Sequence, residues 1–529
     1  MFKILICFFM VSLLFPSLPC LSLPFPDYDP NGKLTFSLGG EISVLNPILS
    51  TDSSSSSVEG PIFNGLTRIN EKLEIIPDLA KAWKVSKDGK TWTFYLRDDV
   101  FWHDGKKFTA DDVKFTFDSI LDPRINSVRR SDYIIDGKEI KFRIPDKYTI
   151  QAVLPKPFAP FLSRIGMGIL PKHLLDGKDI NTAAFNRKPV GTGPFKFAKW
   201  KSGNYVRLIR NDKYFGGKPL LAEIVFKIIP NENSSLVALE AGEVDNAGIP
   251  AKDYTRMKEK KGLNVFEYDA LLYTYLGFNL KNPIFADKNV RRALAYATNK
   301  KQLVNLVLRG HGSAAYAPST PVSWAYSDYD IQKFPYNPAI ATDMLNKSGW
   351  NLGKDGILEK KGKKLEFTIL LNQGNKDREK AAVILQQQYK KIGIKVKVQV
   401  MEWSALLKIV NAPSDPKKFD AVLMGWSLGL DPDSYSIWHS SQYPKGFNFI
   451  GYNNPEVDRL LNRGRETMDK KERKTIYANL NRLISEDQPY LFLWYPKVME
   501  GVAERVGGLS KPGPAGLFLN LEKVYIRAK

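Results

Sequence analysis

Residues 365–401 constrain the fold more than any other stretch of this chain. Leu365–Leu371 is an apolar run of strand length. Asp377–Ile392 then sets Ala381, Ile384, Leu385 and Ile392 on one helical face, with Gly393 as its stop. Ile394, Val396, Val398 and Val400 follow in strand alternation. Strand, helix and strand in this order predict a parallel pair joined by a right-handed crossover, and hence an α/β fold. At 529 residues the chain is too long for one core, so two or three domains are expected.

A second stretch, Phe419–Trp438 (FDAVLMGWSLGLDPDSYSIW), bears on function. Its apolar start, Phe419–Met424, reads as a buried strand that ends in Gly425, Trp426 and Ser427 and stops at Asp431-Pro432. Ligands of open α/β sheets bind beyond the carboxyl ends of strands, where such loops emerge. This loop is therefore expected to form one wall of a ligand cleft. The alternative is a secreted serine hydrolase, because GWSLG fits G-x-S-x-G with Ser427 as nucleophile. That motif needs a helix directly after the turn and a histidine further on. Asp431-Pro432 blocks the helix, and His439 is only twelve residues away. The cleft wall is the better reading.

Net charge is +21, from 77 Lys and Arg against 56 Asp and Glu, but the basic residues are scattered and form no basic arm or helix. A nucleic-acid function is not indicated. At the N-terminus, Lys3 precedes the apolar run Ile4–Phe15, which Pro16 ends. Twelve residues are too short to span a bilayer, so residues 1–22 are expected to be an export signal. Two readings of its end remain open: cleavage near residues 20–23, or lipid attachment at Cys20. The only cysteines are Cys7 and Cys20, so the exported domains are held by packing alone, without an internal disulfide.

Elsewhere, Lys33–Leu38 reads as a first strand, and Ser53–Ser57 as the end of a loop that caps a helix. Lys84–Ser86 and Thr91–Leu96 form a hairpin about Lys87-Asp88-Gly89, and Thr109 caps a helix. Asn289–Leu308 is expected to be one long helix closed by Arg309-Gly310, and Leu491–Trp494 a late strand. The four histidines lie far apart and no metal-ligand spacing or dinucleotide fingerprint is present. No catalytic residue, metal or cofactor is expected.

Seven blocks, in order, resemble one family. They are PDLAKAW with KDGKTWTFYLRDDVFWHDGKKFTADDVKFTFD, then VGTGPFKF, ADKNVRRALAYATNK, YNPAIATDMLNKSGW, IGIKVKVQVMEW, GWSLGLDPDSYSIW and NPEVDRLL. The chain is thereby similar to the oligopeptide/dipeptide-binding family of solute-binding proteins of bacterial ABC importers. The resemblance implies a periplasmic-binding-protein type II fold, two-lobed and hinge-bending, with an inserted third domain. Domain I would comprise residues 23–59, 187–277 and 497–529, domain II residues 60–186, and domain III residues 278–496. The hinge would be Phe278–Asn282 and Leu493–Pro496. A periplasmic or otherwise extracytoplasmic monomer that delivers a peptide or other small solute to an inner-membrane permease is implied.

Positions matching the family's cleft are Asn46 with the serine loop, Trp403, Trp426, Ser427, Leu428 and Gly429, with Trp324 as a further position. The family's Asp that pairs with a ligand amine, shortly after the GW pair, is replaced here by Gly429-Leu430, with Asp431 close by. The family's carboxylate-binding Arg is likewise not evident in Asn372-Gln373-Gly374-Asn375. These departures predict a solute held by aromatic stacking on Trp426 and Trp403 and by backbone hydrogen bonds.

Overall fold

The computed structural model describes residues 27–528, so the export segment with Cys7 and Cys20 lies outside the described residues. One twelve-stranded sheet organises the chain. Its strands, in chain order, are β1 (Lys33–Leu38), β2 (Phe195–Lys201), β3 (Tyr205–Arg210), β4 (Glu223–Ile228), β5 (Asn246–Gly248) and β6 (Leu263–Asp269). They continue with β7 (Leu272–Phe278), β8 (Gly312–Ala314), β9 (Glu366–Asn372), β10 (Lys395–Met401), β11 (Ala421–Ser427) and β12 (Tyr490–Ala503). The spatial order is β2-β3-β4-β1-β5-β12-β7-β11-β9-β10, with β6 and β8 also paired to β12.

The expected βαβ unit is present: β9 and β10 pair in parallel from Glu366↔Lys395 to Asn372↔Met401, bridged by the helix Lys376–Lys390. β11 joins β9 in parallel and β7 antiparallel. These strands, with the first part of β12, form one half of the sheet. β1 to β6 and the rest of β12 form the other, in which β1 and β4 pair in parallel.

Strand β12 belongs to both halves. Its residues Tyr490–Trp494 pair with β7, and Lys497–Ala503 pair with β6. β6 and β7 are themselves separated only by Ala270-Leu271. The chain thus passes between the halves side by side, at Ala270-Leu271 and at Tyr495-Pro496. Strand β7, which the sequence placed before the boundary at residue 278, pairs along its length with β11 in the second half. Pro496 sits at the crossing because it has no N–H for a continuous ladder.

Residues between β1 and β2 add a four-stranded sheet, ordered Ala80–Val85, Thr91–Leu96, Thr149–Val153, Lys141–Asp146, with the helix Ala110–Leu121 beside it. Phe94, Phe117, Phe142 and Ile150 of this layer share one apolar core with Leu34, Phe36, Leu208 and Ile224 of the first half. The second half has two cores, one on each side of its sheet.

Two local expectations change. The serine run is itself a helix, Ser53–Glu59, because Asp52 caps it by accepting from the Ser55 N–H at 2.9 Å. The expected long helix is interrupted. Lys288–Tyr296 ends at Ala297, Asn299 caps a new turn at Gln302, and Val304–Leu308 continues as a π-turn closed by Arg309 and Gly310 in left-handed conformations. Among the described residues, no helix is long and apolar enough to cross a membrane.

Candidate ligand-binding cleft

A cavity of ≈ 860 Å³ lies between the first half and the inserted layer, with one edge supplied by the second half. The first half supplies the end of β1, the serine helix at Ser56 and Ser57, Gly248 of β5 and Val498–Glu500 of β12. The inserted layer contributes Arg68, Asp78 and Arg164. The second half contributes the loop after β11, Gly429–Asp431. The volume falls within the range of small-molecule and short-chain binding sites.

The loop Gly429–Asp431 is held at both ends. The Leu428 N–H donates to the Leu271 carbonyl at 2.8 Å. Asp431 takes a two-pronged ion pair from Arg473, at 2.9 and 2.6 Å. Arg473 is buried, donates also to the Gly464 carbonyl, and lies under the Trp324 ring. Between these anchors the main-chain N–H groups of Gly429, Leu430 and Asp431 form no hydrogen bond among the described residues. A row of unpaired main-chain groups on a cavity wall is an open binding edge.

Of the positions singled out in the sequence, Gly429 and Asp431 lie on this wall, and the others do not. Asn46 is fully buried; its amide donates to Asn186 Oδ1 at 2.9 Å and its oxygen accepts from the Ile48 N–H, so it fixes the loop after β1. Trp426 is partly buried and packs against the second half's aromatic cluster. Its ring lies 6.4 Å from Tyr275, 6.0 Å from Phe449 and 5.3 Å from Phe447. It alternates to the face of β11 opposite an exposed Ser427, and Leu428 serves through its main chain. Trp324 braces Arg473. Trp403 begins a helix, Trp403–Val410, and its ring fills the space over Gly40, where an added Cβ would lie 3.1 Å from Trp403 Cδ1. The two tryptophans expected as stacking platforms are both partly buried, Trp426 against the second half's aromatic cluster and Trp403 in contact across the halves.

Ser427 does not form a nucleophile elbow. The next helix is Tyr435–Trp438, eight residues on, and His439 hydrogen-bonds with Ser441 and Asn462. Among the described residues, no group of three or more His, Cys, Asp or Glu converges as a metal site.

Several further contacts hold the halves together. The Asn411 amide donates to Thr51 Oγ1 at 3.2 Å. The Glu232 N–H donates to the Gly374 carbonyl at 3.3 Å, and the Lys376 N–H to Glu232 Oε2 at 3.2 Å. Beyond the cavity lies a buried charge cluster. Asp433, whose side chain is wholly inaccessible, accepts from Arg465 at 3.0 Å and from Arg164 of the inserted layer at 3.1 Å. Arg465 also reaches Asp132 at 3.5 Å and the Ser131 carbonyl. Burial alone would raise the Asp433 carboxyl, but Arg465 and Arg164 hold it below the ordinary carboxylate range. On the far side of this cluster is a second space of ≈ 1010 Å³, lined by Arg130, His439 and Lys445 among others. Nothing in the sequence points to this cluster, because Asp132 and Arg465 are 333 positions apart.

One of these contacts titrates. Burial pushes the Glu232 carboxyl up to about 7, with Asp377 and Glu379 adding to the rise and the Lys376 N–H and Arg378 opposing it. Asp377 is itself raised to about 6 by burial, against Lys380 and Arg378. When the halves separate, Glu232 meets water and returns toward 4.5. Closure therefore takes up a proton, and it weakens as pH rises from about 4.5 to about 7. Solute affinity is expected to be at least about tenfold higher at pH 5 than at pH 7.5, since one pKa unit is tenfold. Glu232→Gln should flatten that dependence in calorimetric titrations; an unchanged slope would remove Glu232 from the closure contact.

A two-lobed α/β scaffold, joined at two adjacent strand crossings and bearing a cleft that both halves line, is the architecture of a solute-binding protein. The comparisons place it further. The pattern of bacterial extracellular solute-binding proteins, family 5 (middle), matches residues 74–447. The oligopeptide-binding protein AppA of Bacillus subtilis is 40% identical over 504 residues, 94% of this chain and 92% of that protein. The solved structure of AppA with a nonapeptide superposes with a TM-score of 0.91 at 39% identity, covering 96% of this chain and all of that one. NikZ from Campylobacter jejuni, solved with Ni(L-His), superposes with a TM-score of 0.85 at 33% identity, covering 94% of this chain and 100% of that chain. The chain belongs to family 5 of the bacterial extracellular solute-binding proteins, and it is the solute-binding component of an ABC importer.

Proposed function

We propose that the solute is a peptide, bound along the Gly429–Asp431 edge and enclosed by closure of the two lobes. The observation that carries this is the row of unpaired main-chain N–H groups on the cavity wall. A peptide offers main-chain carbonyls to such donors, whatever its side chains. The likeness to AppA, whose structure holds a nonapeptide, supports the same class. NikZ with Ni(L-His) belongs to the same group of neighbours, so the fold alone does not choose the ligand.

The lobes are proposed to be the two sheet halves, with the inserted layer, residues 60–186, moving with the first. Their shared core, and the absence of any other strand crossing among the described residues, favour this division. The hinge is proposed at Ala270-Leu271 and Tyr495-Pro496. In this reading the protein holds and delivers solute without chemistry, acts as a monomer outside the cytoplasm, and hands the peptide to a membrane permease. Cys20 is the proposed anchor point if the chain is lipidated.

The main-chain reading is tested with synthetic peptides. A casein digest is passed over the purified protein, and retained peptides are identified by mass spectrometry and resynthesised with single N-methylated or ester-replaced backbone positions. Affinity is expected to fall about tenfold at one or two positions, as for the loss of a desolvated hydrogen bond. Retention of no peptide, or indifference to every backbone change, contradicts the proposal.

A further inference from the structure

We propose that Glu500 is the cavity's anchor for a positively charged group of the solute, an ammonium or guanidinium. The inference deepens the peptide reading, in which that group is the α-amine or a basic side chain.

Four carboxylates lie on the cavity wall: Asp78, Asp431, Glu500 and Glu522. Two are paired with an arginine, and the third, Asp78, has no cation partner among the described residues but has a hydrogen-bond donor on both oxygens. Asp431 is paired with Arg473 at 2.6 Å, and Glu522 with Arg68 at 3.3 Å. Asp78 has the Asn64 amide on both oxygens, at 3.2 and 3.0 Å. Glu500 differs. Its Oε1 accepts from the Tyr268 hydroxyl at 3.2 Å, and its Oε2 is buried with no partner. Among the described residues, no Lys or Arg nitrogen approaches it within ion-pair distance. A desolvated carboxylate in this condition either keeps a proton or takes a cation. Burial accordingly raises its carboxyl above the ordinary value, even against the Tyr268 hydroxyl and the nearby Asn246 amide.

Room for a cation lies beside it. Gly248 is directly opposite Glu500 in the β5–β12 ladder, so the two residues face the same side of the sheet. A Cβ built on Gly248 meets no atom within 4 Å. Both residues line the cavity. The space that a cross-strand side chain would fill is therefore open, on the same face of the sheet as the Glu500 side chain. Where the family resemblance expects an Asp after the GW pair, this chain has Gly429-Leu430; Glu500 brings the negative charge in from the hinge strand instead.

The test uses three probe sets on the full mature protein. The first is a mixture of hexapeptides with free amines, half of them containing Lys or Arg. The second is the same mixture without basic residues and N-acetylated, and the third is agmatine and spermidine. Wild type is expected to bind the first set about thirtyfold more tightly than the second, as for one buried charge pair. Glu500→Gln keeps the shape and the Tyr268 contact and should erase the difference. Gly248→Leu, which puts a side chain into that space, should do the same. If both peptide sets bind wild type equally, or Glu500→Gln leaves the difference intact, the assignment is overturned while the peptide reading stands. If agmatine or spermidine binds, no peptide does, and Glu500→Gln abolishes binding, Glu500 is upheld and the peptide reading falls. Binding of no probe overturns both.

Discussion

Replacing Gly374 with valine is expected to prevent closure and to lower solute affinity at least about a hundredfold. Gly374 follows β9, where its carbonyl meets the Glu232 N–H of the other half. A Cβ there would lie 2.0 Å from the Pro230 carbonyl oxygen, which is main chain and has no rotamer to yield. The residue also has φ +89°, a region that costs a side chain about 1–2 kcal/mol. That second cost is present in the open form too and lowers the melting temperature without solute. The clash with Pro230 acts on the closed form alone. Gly39→Val is the control, because a Cβ on Gly39 meets nothing within 4 Å. Titration calorimetry with a retained peptide separates the two variants, and equal affinities would remove the Gly374–Pro230 contact from the closed state.

Asp433→Ala is expected to have an effect of similar size by a different route. Asp433 bridges Arg465 of its own half and Arg164 of the inserted layer, with no solvent access to its carboxylate. Removing one member of a buried charge cluster leaves the others uncompensated, at about 3–5 kcal/mol. In the open form Arg164 and Arg465 regain water, so much of that cost falls on closure, and affinity should drop by about a hundredfold. Asp433→Asn retains an acceptor without the charge and should lie between. The cluster also lies between the main cavity and the second space, so its loss should admit longer peptides. Competition with peptides of graded length reads this directly; a fall in affinity uniform across lengths would assign the cluster to closure alone.

How much of this was legible beforehand follows from the range of each interaction. The βαβ unit was readable because its signal is local: β9, the helix and β10 each carry their periodicity within a few residues. The strand β12 was read as four residues and is fourteen, because Pro496 breaks the alternation where the chain changes lobes. The serine run was read as loop because serine is a weak helix former, yet Asp52 at the cap decides it. In the site, a loop beyond β11 was foreseeable from Gly425, Gly429 and Pro432. Which of its residues face the cavity was not. Trp426 packs against Tyr275, Phe447 and Phe449, and these come from other segments. Asn46 was expected in the cleft, but Asn186, 140 positions away, holds it in the core. Glu500 gave no local signal. Its standing depends on Tyr268, on Gly248, and on the partners of every other cavity carboxylate, which only the folded chain reveals.

The central claim is that solute is enclosed between two lobes that move about the β6–β7 and β12 crossings. Small-angle X-ray scattering on the mature protein, freed of bound solute by partial unfolding and refolding, tests it most directly. Titration with a peptide retained from the casein digest should shrink the radius of gyration, in proportion to occupancy, and Gly374→Val should show no such change. An unchanged radius in the wild type at calorimetric saturation would mean that the cavity fills without closure, and would contradict the account.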